Sequence, residues 1–273
     1  MSAARTAERR DAATPLERTD HACFLVTVTA VGRPAPHVRR LTLAAPELGH
    51  LVLLGPDEFF GLLMPRTGQE LPDLGVVRGP NPRPVLAGLP EEQRPDLRWY
   101  TVRAHRPGLG EVDVDVVVHG DAGPGSAWVR RARVGQVAAY QTGTACYRRG
   151  HGGHQVVVGD ETAAPAVAAI LEQLDDDVVP HVFLEVPSVR EDLPGLPAPT
   201  RGSLTVLERG PGLPGSVLLP ALAAADLPAL TYAWVAGEQA LAAEARRHLV
   251  HVRGMPRTAV YFCAYWVLGR PRG

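Results

Sequence analysis

Gln155-Val156-Val157-Val158-Gly159-Asp160-Glu161-Thr162-Ala163-Ala164-Pro165 decides the fold of the C-terminal half. The apolar run Val156–Val158 predicts a strand covered on both faces. A turn follows, and then a helix over 163–174 with Val167, Ile170, Leu171 and Leu174 on one stripe. Pro165 falls in the first helical turn, where its missing N–H costs nothing. His181-Val182-Phe183-Leu184-Glu185-Val186 reads as the next buried strand. Strand, helix, strand in this order predicts a right-handed parallel unit. Further on, strands at 203–207, 232–237 and 259–265 alternate with helices around 217–225 and 239–252. Residues 150–273 therefore read as a parallel-sheet α/β domain.

Upstream of Gly150 the pattern changes to short strands with frequent turns, as in a small antiparallel barrel. Strands are predicted at 24–31, 38–43, 59–64, 98–103, 111–118 and 137–140. In 111–118 acids and valines alternate, which predicts one buried and one wet face. Residues 66–97, rich in Pro and Gly, read as one long loop. The Ala- and Arg-rich stretch 1–18 reads as a frayed tail. The expected organisation is a tail over 1–18, a barrel over 19–149 and an α/β domain over 150–273.

The 273 residues suit two domains, and the net charge of −1 points to neither nucleic acid nor an anionic membrane. The chain has no lysine, so anionic ligands must be held by guanidinium forks. Cys23, Cys146 and Cys263 are widely spaced, with no Cys-x-x-Cys pair, which argues against disulfides and zinc. His151 and His154, three apart among glycines, read as linker residues and not metal ligands. With no apolar h-region and no segment long enough to span a bilayer, a cytoplasmic protein is expected.

Five stretches can carry chemistry. Arg98-Trp99-Tyr100-Thr101-Val102-Arg103 offers a fork for a diphosphate, a ring for an aromatic plane and a hydroxyl, or is a plain amphipathic strand. Val118-His119-Gly120-Asp121-Ala122-Gly123-Pro124-Gly125-Ser126-Ala127-Trp128 opens a helix through glycines, which suits a phosphate or a capped turn. Gly159-Asp160-Glu161-Thr162 lies at the carboxyl end of a buried strand, where open α/β sheets bind nucleotides, although Gly-x-Gly-x-x-Gly is absent. Trp234-Val235-Ala236-Gly237-Glu238 offers a second such turn, and Tyr265-Trp266 an aromatic pair that covers a ring or plugs a sheet edge.

The order Arg-x-Tyr-Thr-x-Arg, His-Gly-x-x-Gly-Pro with a following Trp, Gly-Asp-Glu-Thr-Ala-x-Pro-Ala, Trp-x-Ala-Gly-Glu and a terminal Tyr-Trp resembles the siderophore-interacting protein family over nearly all of 20–270. Its members are FAD-containing ferric-siderophore reductases related to ferredoxin reductases. The resemblance implies a six-stranded antiparallel FAD-binding barrel followed by a ferredoxin-reductase-like domain for NADPH or NADH. It implies cofactor contacts from Arg98, Tyr100, Thr101, Val102, Arg103, Val118, His119, Gly123, Pro124, Ser126 and Trp128, with Asp160, Glu161 and Thr162 where flavin meets nicotinamide. The flavin carries the chemistry, so no catalytic acid or metal ligand is expected. The family usually carries Gly-Pro-Arg-Gly where this chain has Gln141-Thr142-Gly143-Thr144, and a lysine near Gly61. A basic patch for an anionic ferric siderophore is expected instead from Arg130, Arg131, Arg148, Arg149 and Arg270, beside Tyr265 and Trp266. Arg190 is a candidate for a 2′-phosphate. The competing expectations are a flavin-dependent tailoring enzyme of secondary metabolism and a non-catalytic binding protein on the same scaffold.

Overall fold

A computed structural model describes residues 14–118 and 124–270. The first half is an antiparallel sheet of β1 (Cys23–Ala35), β2 (Val38–Ala44), β3 (Phe59–Met64), β4 (Asp96–Thr101), β5 (Ala104–Arg106), β6 (Glu111–Val117) and β7 (Val137–Gln141). The strand order is β4-β3-β7-β1-β2-β6-β5. The two ends of that order are pieces of one run, 96–106. Val102 N still donates to Glu58 O on the β3 side, while Arg103 N donates to Asp113 O on β6. The run thus leaves one neighbour for another at 102/103 and closes the sheet into a barrel. Seven hydrogen-bonded strands arise from six passes of chain, in keeping with the expected six-stranded barrel.

Val112, Val114 and Val116 point into the barrel core with Leu41, Leu43, Phe60 and Leu62. Their alternating acids are not wet, contrary to expectation. Arg40 forks onto Asp115 at 2.6 and 2.7 Å, and Arg106 onto Asp113 at 2.7 and 2.8 Å. The guanidinium groups cover both carboxylates and leave them buried. The period-2 pattern separates the two faces but does not say what covers the polar one.

Residues 66–95 are also more than a loop. They carry α1 (Arg83–Ala87). Leu74, Val77 and Leu86 make a small separate core against Leu63, Leu97 and Ala139 on the outside of the barrel.

The second half is a parallel sheet of β8 (Gly153–Asp160), β9 (Val178–Val186), β10 (Ser203–Glu208), β11 (Tyr232–Glu238) and β12 (Val260–Trp266), in the order β10-β9-β8-β11-β12. Its helices are α3 (Ala164–Leu171), α4 (Val189–Asp192), α5 (Leu218–Ala224) and α6 (Gln239–His251); α2 (Pro124–Arg131) belongs to the barrel. α5 and α6 pack on one face with Val156, Val158, Val235 and Val260, and α3 packs on the other with Val157, Val182 and Trp234. All eight residues of α3 are buried, not one stripe of it. Its many alanines are small enough to be enclosed all round.

The segment just before residue 18, assigned to the tail by composition, is held against the connection between the two halves. Leu16 N donates to Ala145 O at 2.7 Å. Arg18 donates to Gly143 O, Val52 O and Glu58 Oε1 with its guanidinium buried. Nearby, Asp57 of the barrel half accepts from Cys146 N, Tyr147 N and Trp234 Nε1, each at 2.9 Å. One buried carboxylate therefore joins the barrel, the connection and the parallel sheet. Burial pushes its pKa up, opposed by those three donors.

Candidate active site

A cleft of about 900 Å³ opens between β4 and the carboxyl ends of β8 and β12. Such a crevice at the strand ends is where open α/β sheets bind ligands. On its barrel side stand Arg98, Tyr100 and Thr101; on its sheet side stand Thr162, Tyr265, Trp266 and Arg270. Seven of the residues singled out in the sequence are thereby brought together from three separate stretches of chain.

The start of α2 closes on the barrel side. A methyl group on Gly125 would stand 2.6 Å from the Tyr100 hydroxyl and 3.0 Å from Arg98 Cγ. Only glycine lets the helix backbone come so close to both side chains. Ser126 follows in the first turn, half-buried, at the end where the helix dipole favours an anion. Arginine, aromatic ring and helix start thus converge at one place, and this geometry fits a flavin with its diphosphate. Pro124 begins the helix, while His119 and Gly123 lie outside the described residues.

Asp160 and Glu161 stand behind the cleft, not in its wall. Asp160 is fully buried. It accepts from Thr162 N at 2.9 Å and Thr162 Oγ1 at 2.5 Å, and on its other oxygen from Glu238 N at 2.6 Å and Trp266 Nε1 at 2.8 Å. Gly237, with φ of 144°, leaves it room: a Cβ there would lie 2.8 Å from Asp160 Cγ. Burial, then the neighbouring Glu161 charge, raises the Asp160 pKa to about 6. Glu161 is held bidentately by Arg209 at 2.7 and 2.9 Å. Glu238 in turn caps α6 through Ala240 N and Leu241 N and accepts from Leu268 N.

Other singled-out residues go elsewhere. Val102, Val118 and Trp128 are buried in the barrel core. Arg103 forks onto Glu172, just past α3, at 2.7 and 2.8 Å. Arg148 reaches Thr14 O at 2.8 Å and Arg149 reaches Gln173 Oε1 at 3.0 Å, so neither joins the cleft. Arg130 is exposed on α2, Arg131 borders a different groove, and Arg190 is exposed on α4. Of the five arginines expected to form a basic patch, Arg270 alone lines this cleft. Motif reading missed Phe59, Trp99, Asp115, Cys146, Tyr261 and Cys263, and also Arg83 from α1. Trp99 lies within the first motif and was within reach of it. Arg83 carries no local signal.

The departure at Gly61 has a structural reason. A Cβ there would lie 2.9 Å from Leu97 Cδ1, 3.2 Å from Gln141 Cβ and 3.3 Å from Trp99 Cζ3. Those neighbours close the position to any long side chain. Among the described residues no three His, Cys, Asp or Glu side chains group as metal ligands, and no helix is long and apolar enough to cross a membrane.

Residues 27–142 match the family described as the siderophore-interacting FAD-binding domain, and residues 153–269 match the siderophore-interacting protein family. The ferric vibriobactin reductase ViuB of Vibrio cholerae is 32% identical over 191 residues, covering 66% of this chain and 67% of that protein. Among solved structures, the siderophore-interacting protein SipS of Aeromonas hydrophila superposes with a TM-score of 0.76 at 29% identity, covering 92% of this chain and 93% of that one. A siderophore utilization protein from T. fusca gives 0.75 at 28% identity, covering 93% and 96%.

Proposed function

The chain belongs to the siderophore-interacting protein family, a flavin-dependent oxidoreductase using FAD and a nicotinamide nucleotide, and on that footing we propose that it reduces a ferric siderophore and releases Fe(II). The observation that carries the reading is the convergence of Arg98, Tyr100 and Gly125 on one side of the cleft with Thr162 and Trp266 on the other. In the proposed division of labour, residues 19–149 hold FAD and residues 150–273 hold NADPH or NADH, in the cytoplasm.

FAD, when bound, would supply the hydride-accepting and one-electron chemistry that no side chain supplies. The protein's part is placement. Arg98 and the Gly125–Ser126 helix start take the diphosphate. The Tyr100 ring supports the flavin plane. Thr162 donates its only hydroxyl proton to Asp160, so toward the cleft its oxygen acts as an acceptor. Tyr265 and Trp266 wall the opposite side and exclude water. Arg270, at the rim, faces the acceptor.

The test is an absorbance spectrum of the purified protein, followed by anaerobic NADPH or NADH and then a ferric siderophore. Flavin bands that bleach with nucleotide and return with the ferric complex are expected. Bands that bleach and do not return would transfer the assignment to a small organic substrate.

A further inference from the structure

We propose that Asp160 is a positioning residue whose charge state sets the direction of the Thr162 hydroxyl, and so decides whether the cleft offers a ring cofactor an acceptor or a donor at that point; this rests on the reading of the cleft given above. Four donors surround the Asp160 carboxylate. They are the backbone N–H groups of Thr162 and Glu238, the Trp266 indole N–H and the Thr162 hydroxyl. An ionised carboxylate only accepts, so all four point inward. A neutral carboxyl group carries one O–H and needs an acceptor for it. The three N–H groups have no lone pair to offer. Thr162 Oγ1, 2.5 Å from Asp160 Oδ1, is the one partner of the four that can reverse. The second carboxyl oxygen is held from β11 and β12, which keeps the first on Thr162. Protonating Asp160 therefore turns the Thr162 proton out toward the cleft that Thr162 lines.

Burial and the Glu161 charge place that change near pH 6. Among the described residues, the charged and titratable groups facing Asp160 come from four directions. Glu161 follows it in the chain and is forked by Arg209. Glu185 stands opposite it on β9 and accepts from Gly215 N and Leu218 N at the start of α5. Glu238 ends β11 and caps α6. Tyr265 lies on β12, where burial pushes its hydroxyl pKa up. Asp160 is the member of this set bonded to Thr162 Oγ1. Above about pH 6 the outward side of Thr162 is thus an acceptor. It matches an N–H on the ligand, from the carboxamide of a nicotinamide ring or from a reduced flavin ring. Below that pH the same N–H meets a donor.

The test titrates FAD-loaded protein calorimetrically with NAD+ and NADP+ and with their 3-acetylpyridine analogues, which lack the carboxamide N–H. The flavin midpoint potential is measured in parallel without nucleotide. If the nicotinamide supplies the N–H, Thr162→Val should weaken the nucleotide about fivefold and leave the analogue unchanged, the loss of one hydrogen bond. If the flavin supplies it, Thr162→Val should lower the potential instead. Thr162→Ser should restore the wild-type value. Acidification below pH 6 should reproduce the Thr162→Val loss in wild-type protein and in Thr162→Ser, and add nothing in Thr162→Val. Asp160→Asn, whose amide donates to Thr162 Oγ1, should show the loss at every pH. Thr162→Val that matches wild type in both measurements, Thr162→Ser that fails to restore it, or an acid loss that persists in Thr162→Val would each overturn the proposal. If the pattern holds and a ferric siderophore does not reoxidise the flavin, the reductase reading fails and this pairing stands.

Discussion

The Trp266 indole donates to Asp160 Oδ2 at 2.8 Å, which ties the last strand of the parallel sheet to the turn that ends its first. The two residues are 106 apart in the chain. Asp160 gathers its other donors from Thr162 and Glu238, so the cleft's aromatic wall and its hydroxyl are set by one buried carboxylate. Trp266→Phe keeps an aromatic ring, smaller than the indole, and removes the donor. It is expected to lower the denaturation free energy of the apoprotein by about 1–2 kcal/mol, the cost of leaving a buried acceptor short of one partner. An unchanged urea midpoint would show that the bond contributes nothing.

Gly125→Ala places a methyl group against Tyr100 and Arg98. Either the helix start or both side chains must move. FAD affinity should fall at least about tenfold while far-ultraviolet circular dichroism stays native, since a charge-assisted contact of this kind is worth about 1.5–3 kcal/mol. Fluorescence titration of the apoprotein with FAD measures it; wild-type affinity would remove Gly125 from the cofactor site.

Arg18→Ala breaks a fully buried ion pair and leaves Glu58 enclosed without its counter-charge. Burial already pushes the Glu58 pKa up, and Arg18 is among the groups that oppose this. A loss of about 3–5 kcal/mol is expected. Denaturant unfolding reads it directly, and a loss below that of a surface substitution would mean that the segment preceding β1 does not seat as described.

On the far end of the parallel sheet, His154 Nδ1 lies 3.0 Å from His181 Nε2, and His181 Nδ1 lies 3.2 Å from Ser203 Oγ. Burial first, and His154 second, lower the His181 pKa below its usual value. Between that lowered value and about 6.5 the unfolded chain binds a proton that the folded one does not, so stability falls as pH drops below about 6.5. His181→Gln should flatten this dependence between neutral and mildly acidic pH. Urea midpoints of both proteins across that range decide it, and parallel curves would exclude His181 as the source.

Glu172→Ala provides the contrast. Its fork with Arg103 is well formed but partly exposed on the Glu172 side. Exposed pairs contribute about 0–1 kcal/mol. The thermal midpoint should barely move at moderate salt, and a large drop would make this bridge between the two halves structurally essential.

Much of the fold was legible in local pattern. The valine runs of β8 and β9 announced buried parallel strands, and each later strand was found within a few residues of its expected place. The candidate site was legible to the extent that residue type and spacing carry it: Arg98, Tyr100, Thr101, Thr162, Tyr265 and Trp266 all line one cleft. What escaped is what depends on a distant partner. Nothing in 111–118 says that Arg40 and Arg106 cover its acids. Nothing in 148–149 says that these arginines hold the chain near Thr14 and Gln173 and not a ligand. Arg83 sits in a stretch without periodicity, and its place on the cleft depends on the outer core that α1 packs into.

The sequence by itself determined the order of elements, the two-part architecture and several of the residues that line the cleft. Those follow from period, turn chemistry and side-chain type, which are properties of neighbouring residues. The tertiary structure alone decided which charges are spent inside the protein and which face the cleft. A guanidinium pairs with whatever carboxylate folding brings within reach, and the partners here lie far apart in the chain, 40 positions for Arg18 and Glu58 and 75 for Arg40 and Asp115. Desolvation makes such buried pairings costly to break, so they leave an arginine either fully committed or, as with Arg270, on the wall of the cleft.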